Sequence, residues 1–167
     1  MTIGAVIFDI GNVLIEWNPE RFYDAEIGPD RRRALFAKVD LHAMNDEVDR
    51  GADFRQTIYD TAEANPAFRD EIRLWHDRWI EMASPAIMPS VRALRALRSN
   101  GVPVFALSNF GIGTYEIARA EYPVLDEFDQ GYVSGHLGVI KPDPRIFAAL
   151  CDRAIALPLG LLAIRRP

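Results

Sequence analysis

Four residues of this sequence have side chains suited to handling an anionic group, and each stands at or shortly after an apolar run. Asp9 ends the run Ala5-Val6-Ile7-Phe8. Ser108 and Asn109 follow the run at 102–107, and Lys141 comes a short loop after a third stretch at 131–134. A carboxylate in such a place can attack an electrophile, as in enzymes that form an aspartyl-phosphate. A hydroxyl, an amide and an ammonium beside it could hold the three oxygens of a transferring phosphoryl group. Taken singly, each has a plainer reading: Asp9 as a turn acid, Ser108 as a helix cap, Lys141 as a solvated surface charge. Their shared placement is more specific than any one of them. Lysine is also scarce, because of 19 basic residues only Lys38 and Lys141 are lysines and the rest are arginines.

The elements that must position these residues are legible as runs and stripes. The run at 4–9 has no alternation, which is the pattern of a strand buried on both faces of a parallel sheet. Further strands are expected at 102–107, 131–134 and 159–164. Between them, Pro89-Ser90 followed by Val91, Leu94 and Leu97 reads as a capped helix closed by Asn100-Gly101. Asp143-Pro144 opens another, with Ile146, Phe147 and Leu150 on one face. Strand–helix–strand alternation implies an α/β, Rossmann-like parallel sheet covered by helices on both sides. Residues 17–85 contain no strand-like run but several helical patterns, at 19–27, 30–39, 52–64 and 67–83. The expected organisation is a core of residues 1–16 and 86–167 with a helical-bundle cap, 17–85, inserted into it. The stripe of Ile72, Trp75, Trp79 and Met82 reads as bundle core.

A chain of 167 residues with 49% hydrophobic and 26% charged residues is neither disordered nor fibrous. No apolar run approaches the ~18 residues of a membrane span. The N-terminal residues lack a basic region and a cleavage site, and a lone cysteine, Cys151, suits a reducing compartment, so a cytoplasmic location is expected. A net charge of −5 opposes nucleic acid or anionic membrane as a partner. His42, His76 and His136 have no metal-ligand spacing and read as surface or cap residues. Arg31-Arg32-Arg33 reads as a solvated face, and Cys151 as packing. The stretch NDEVDRG at 45–51 falls in the cap and could edge the site, although nothing in the sequence fixes it there.

The segment FDIGNVL, Phe8 to Leu14, resembles the first motif of the haloacid dehalogenase-like hydrolases, LSN at 107–109 resembles the second, and IKPDPRIF at 140–147 the third. The resemblance covers the chain to about Arg153. It implies Asp9 as nucleophile and Mg²⁺ ligand, the Gly11 carbonyl as a second ligand, and Ser108, Asn109 and Lys141 around the phosphate, with Lys141 also steadying the charge on Asp9. It further implies hydrolysis of a small phosphorylated substrate, in the manner of the branch similar to α-glucose-1-phosphate phosphatases, which also carries an FD-[IL]-GNV motif. The rival expectation is a 2-haloacid dehalogenase that forms an ester on Asp9. Dehalogenases, however, usually show an aromatic in place of Gly11 and a threonine in place of Val13.

Two departures from the family pattern follow. Most phosphatases of the family carry a second aspartate, a general acid, where Gly11 stands; an anomeric leaving oxygen, being more acidic, needs that proton less. The fourth motif, an acidic pair after the fourth strand, is replaced by Arg165-Arg166, and guanidinium groups there would repel Mg²⁺. Ile-Asp-Asp coded ATC-GAC-GAC contains CGA-CGA one frame over, which encodes Arg-Arg. A frameshifted, truncated copy of a longer hydrolase would account for that ending, and the alternative expectation outside enzymes is then a catalytically impaired remnant with an incomplete Mg²⁺ site. The chain is also expected to self-associate through an open sheet edge.

Overall fold

The computed structural model describes residues 3–154 and 160–164. A parallel sheet in the order β3-β2-β1-β4 contains β1 (Ile3–Phe8), β2 (Val104–Ser108), β3 (Gln130–Val133) and β4 (Gly160–Ile164). The chain steps outward from β1 to β3, then crosses to the other side of β1 for β4. That reversal places a crevice at the carboxyl end of β1. β1 pairs with β2 from Val6↔Val104 to Phe8↔Ala106 and with β4 from Ile3↔Gly160 to Phe8↔Ile164.

The unbroken apolar runs follow from double burial, because neighbouring residues of a strand face opposite sides. The helices, in chain order, are α1 (Pro19–Ile27), α2 (Pro29–Lys38), α3 (Leu41–Asp49), α4 (Phe54–Ala64), α5 (Arg69–Asp77), α6 (Trp79–Met82), α7 (Met88–Ser99), α8 (Ile112–Glu121), α9 (Ser134–Leu137) and α10 (Pro144–Ala154). Ala5 and Ile7 belong to a cluster with Phe105, Leu107 and Ile146 and Leu150 of α10. Val6 and Phe8 belong to a larger one, with Val91 and Leu94 of α7 and Ala118 of α8. The two clusters take alternate residues of the same strands, so the sheet is covered on both faces.

Helices α1 to α6 form the inserted bundle. Tyr23, Leu35, Ile58, Ile72, Trp75 and Met82 are fully buried in it, and each such side chain contributes ~1.5–3 kcal/mol of transfer free energy. Asn18, Asp40 and Asp53 cap α1, α3 and α4 by accepting hydrogen bonds from Arg21, Ala43 and Gln56 N–H. The chain enters and leaves the bundle along neighbouring paths: Ile15 bridges Ala86 in antiparallel fashion, Glu16 N–H donates to the Pro85 carbonyl, and Ile87 N–H to that of Leu14.

The expected single helix at 67–83 is broken into a short 3₁₀ turn, Pro66–Phe68, then α5 and α6, with Arg78 leaving helical geometry at φ −129° between them. Two helices have no clear pattern in the sequence. α8 follows Gly111 and contains Gly113, which mimics a loop, and α3 is rich in charge. Leu159, the first residue of the expected fourth strand, and Arg165-Arg166 lie outside the described residues. No helix among the described residues is long and apolar enough to cross a membrane.

Candidate active site

β1 delivers Asp9 to the crevice, and the next residues turn back on themselves. Val13, Leu14 and Ile15 N–H all donate to the Ile10 carbonyl, and Asn12 N–H donates to that of Ile15. Closing so tight a loop puts Asn12 at φ 57°, a left-handed conformation that asparagine tolerates better than most residues. The Asn12 side chain accepts from Trp17 N–H at 2.9 Å. Asp9 Oδ1 accepts from Ile10 N–H and from Ser108 Oγ, each at 2.8 Å. Gly11 is not demanded by packing, since a Cβ there would meet nothing within 4 Å and its φ is not left-handed.

The second and third motifs converge on the same carboxylate. Lys141 Nζ donates to Asp9 Oδ2 at 2.6 Å and to the Leu107 carbonyl at 3.1 Å. An ammonium has three N–H groups, so one remains for a ligand oxygen. The Asn109 amide grips the Lys141 backbone from both sides: its Oδ1 accepts from Lys141 N–H at 2.7 Å, and its Nδ2 donates to the Lys141 carbonyl at 3.1 Å. All four residues singled out in the sequence thus meet, with Asn109 bonded to the lysine rather than to the aspartate.

Opposite them lies α3, which brings a stripe that the sequence alone does not assign. His42, Asn45, Asp46 and Asp49 recur at the spacing of one helical face and line the cavity together with Glu16, Trp17 and Trp79. The signal is present as polar residues at helical spacing, but without a recognised helix there is no face to read. Trp79 belongs to the bundle core, as its stripe suggests, and also lines the cavity. The cavity has a volume of about 320 Å³ and is floored by Asp9, Gly11, Ser108, Asn109 and Lys141. Lys141 is its only lysine or arginine among the described residues; its other charged groups are Asp9, Glu16, Asp46 and Asp49.

Asp49 is the buried member of that wall, at 8% exposure. Asn45 Nδ2 donates to its Oδ2 at 3.0 Å, and the indole N–H of Trp75 holds Asn45 Oδ1 in turn. Burial pushes the Asp49 carboxyl up to about 7; the Gly111 backbone N–H, Arg50 and the Asn45 amide pull the other way, while Asp46 adds to the rise. The seam beneath it is tight. Ser134 Oγ donates to the Asp49 backbone carbonyl at 2.6 Å, and Phe110 N–H donates to Ser134 Oγ. Three glycines allow this approach: a Cβ on Gly51 would lie 2.6 Å from the Gly135 carbonyl, one on Gly111 2.5 Å from Val48, and one on Gly135 2.8 Å from Ile112 N. Among the described residues no cluster of three or more His, Cys, Asp or Glu could hold a metal ion.

Comparison with solved structures shows the same fold in related enzymes. A HAD family enzyme from Bacteroides thetaiotaomicron is 22% identical over 100% of this chain and 86% of its own, with a TM-score of 0.74. The same enzyme is known in complex with magnesium and inorganic phosphate (21% identity, 92% of this chain and 79% of that one, TM-score 0.67). L-2-haloacid dehalogenase from Xanthobacter autotrophicus is 18% identical over 97% of this chain and 69% of its own, with a TM-score of 0.62. A search of curated proteins finds no match. The family model for haloacid dehalogenase-like hydrolases matches residues 3–158, and the chain belongs to that family.

Proposed function

We propose that this hydrolase is a phosphatase acting on a small sugar-phosphate-like monoester through an aspartyl-phosphate on Asp9. The reading rests on one observation: Ser108 Oγ and Lys141 Nζ converge on the Asp9 carboxylate at the floor of a cavity. A phosphoryl group in front of Asp9 would meet a hydroxyl and an ammonium, the donors that stabilise its charge in transfer. Asp9 attacks phosphorus, Lys141 and Ser108 hold the phosphoryl oxygens, and Asn109 keeps Lys141 in place. The division that goes with this reading is a core of residues 1–16 and 86–167 and a cap of 17–85, the cap excluding water and selecting the leaving group.

Mg²⁺ is commonly bound by one or two carboxylates with phosphate oxygens and waters. The Asp9 carboxylate and the Gly11 carbonyl fit that donor chemistry and would hold the ion, which supplies charge neutralisation of the phosphoryl oxygens. The magnesium and phosphate complex of the Bacteroides relative supports the same use here.

The wall chemistry favours a phosphate ester over a 2-haloacid. A haloacid carries a carboxylate in its organic part, and among the described residues the wall beyond Lys141 offers Glu16, Asp46 and Asp49 and no lysine or arginine. The carboxyl and amide groups of the wall, with Trp17 and Trp79, suit a neutral polyhydroxyl leaving group. The test is release of phosphate from a panel of sugar phosphates, set against halide release from 2-chloropropionate, both with Mg²⁺. Phosphate release that Asp9→Asn abolishes supports the reading; halide release alone overturns it.

A further inference from the structure

We propose that Asp49, contributed by the inserted helices, is the proton donor to the leaving group, in place of the acid that Gly11 does not supply; this rests on the phosphatase reading above. Gly11 leaves the floor of the cavity with Asp9 as its only carboxylate among the described residues, and Asp9 is committed as nucleophile. An anomeric oxygen needs that proton less, but an unactivated alkoxide does not depart without one, and for such esters the donor comes from another wall. The acids and bases available there are Glu16, His42, Asp46 and Asp49. Three of them are solvated: the side chains of Glu16, His42 and Asp46 are 43%, 63% and 48% exposed. Asp49 alone is buried.

Its surroundings suit a donor. The charged groups around it are Asp46 on α3, Arg50 just past the end of α3 and, lining the same cavity, Asp9, Glu16 and Lys141, with His42 at the far end of the stripe. Burial outweighs the rest, so a large part of the population carries the proton near neutral pH. The Trp75–Asn45–Asp49 chain of hydrogen bonds and the Ser134 contact to its carbonyl fix the helix end that carries it. Because Asp49 belongs to the insert and Asp9 to the sheet, the two line one cavity only when insert and sheet are docked. The docking is the seam that Gly51, Gly111 and Gly135 allow.

In the first step Asp9 Oδ bonds to phosphorus as the bond to the leaving oxygen breaks. That oxygen takes the Asp49 proton, giving an alcohol, an aspartyl-phosphate and an Asp49 carboxylate. In the second, the Asp49 carboxylate takes a proton from water as the water oxygen bonds to phosphorus. The bond to Asp9 Oδ breaks, releasing inorganic phosphate and restoring the Asp49 acid.

The experiment uses single-turnover release of the leaving group, which reads the first step alone, from p-nitrophenyl phosphate and from a primary alkyl phosphate. p-Nitrophenolate leaves without a proton; an alkoxide does not. Asp49→Asn is expected to slow alkyl release by ~10²–10⁴-fold while p-nitrophenol release changes only about two-fold, and to remove the basic limb near pH 7 from the alkyl profile. Carboxyl-carbon NMR on aspartate-labelled protein is expected to show a group titrating near pH 7 that is missing in Asp49→Asn. Equal slowing of both esters, alkyl release at the parental rate, or no such titration overturns the proposal. Failure of the parent to release either leaving group overturns the phosphatase reading itself, and the proposal falls with it.

Discussion

Lys141 Nζ lies 2.6 Å from Asp9 Oδ2, although 132 positions separate the two residues in the chain. The contact requires β1 and the loop after β3 to meet at one sheet edge, and Asn109, at the end of β2, holds the Lys141 backbone from both sides. The expected consequence is that Lys141→Met lowers phosphoenzyme formation by ~10²–10³-fold, the usual effect of losing one preorganised donor to a developing charge. Lys141→Arg is expected to restore little of it, because a planar fork does not replace a point charge at a single position. Rapid-quench measurement of phosphoryl-Asp9 checks both; a parental rate in Lys141→Met removes the lysine from the chemistry.

Gly11→Asp is expected to add a working acid rather than break the site. A Cβ at this position meets nothing within 4 Å, and the backbone is not left-handed, so the fold tolerates the side chain. Placed in the Asp49→Asn background, Gly11→Asp is expected to recover at least ten-fold in alkyl phosphate turnover, a modest part of the ~10²–10⁴ that a general acid contributes. Steady-state kinetics with the same alkyl ester provides the check. No recovery from a folded double variant means that an acid at position 11 does not reach the leaving oxygen.

How much of this is legible in the sequence depends on what kind of signal each residue gives. Asp9, Ser108 and Lys141 sit at or just after apolar runs, and strand-end geometry alone brings such residues to one crevice. The strands themselves follow from the same runs, because double burial leaves no polar positions to confuse the pattern. Asp49 is legible only as one residue of the NDEVDRG stretch that could edge the site, and nothing local sets it apart from Asp46. Its importance depends on burial and on a close approach to Gly111 and Ser134, about 60 and 85 positions away, and no local pattern encodes either contact. The role of Asn109 is not legible: an amide beside an expected phosphate site looks like a ligand group, whereas both of its ends are bonded to the Lys141 backbone. The glycine-rich start of α8 reads as a loop until Val48 is found against Gly111.

The glycines at the seam make a separate prediction about stability. Gly51 and Gly101 both have positive φ, at 104° and 73°, but only Gly51 faces backbone, with the Gly135 carbonyl 2.6 Å from where a Cβ would stand. Gly101→Ala is therefore expected to cost ~1 kcal/mol through conformation alone. Gly51→Ala is expected to cost more, ~2–4 kcal/mol, because strain and a backbone clash add. Urea unfolding of the two variants beside the parent tests the order. Equal costs would show that the helix end gives way without loss.

The last prediction turns the Asp49 environment into a pH dependence of stability. Its carboxyl is raised from 3.8 to about 7 by burial, so between those values the folded chain holds a proton that the unfolded chain has released. Stability therefore falls as pH rises through that window, and the loss is complete above the folded value. The full effect is of the order of 4 kcal/mol at about pH 8, since each pH unit between the unfolded and folded values contributes about 1.4 kcal/mol. Asp49→Asn carries no ionisable group, and its stability relative to the parent is expected to grow from about pH 4 to about pH 7 and then level off. Asparagine does not reproduce the hydrogen bond from Gly111 N–H in the same way, so the offset between the two proteins at low pH is set by local bonding. The slope is set by the proton alone. Urea unfolding at closely spaced pH values measures it, and a difference that stays flat from about pH 4 to about pH 8 would show that this carboxyl titrates in the ordinary range.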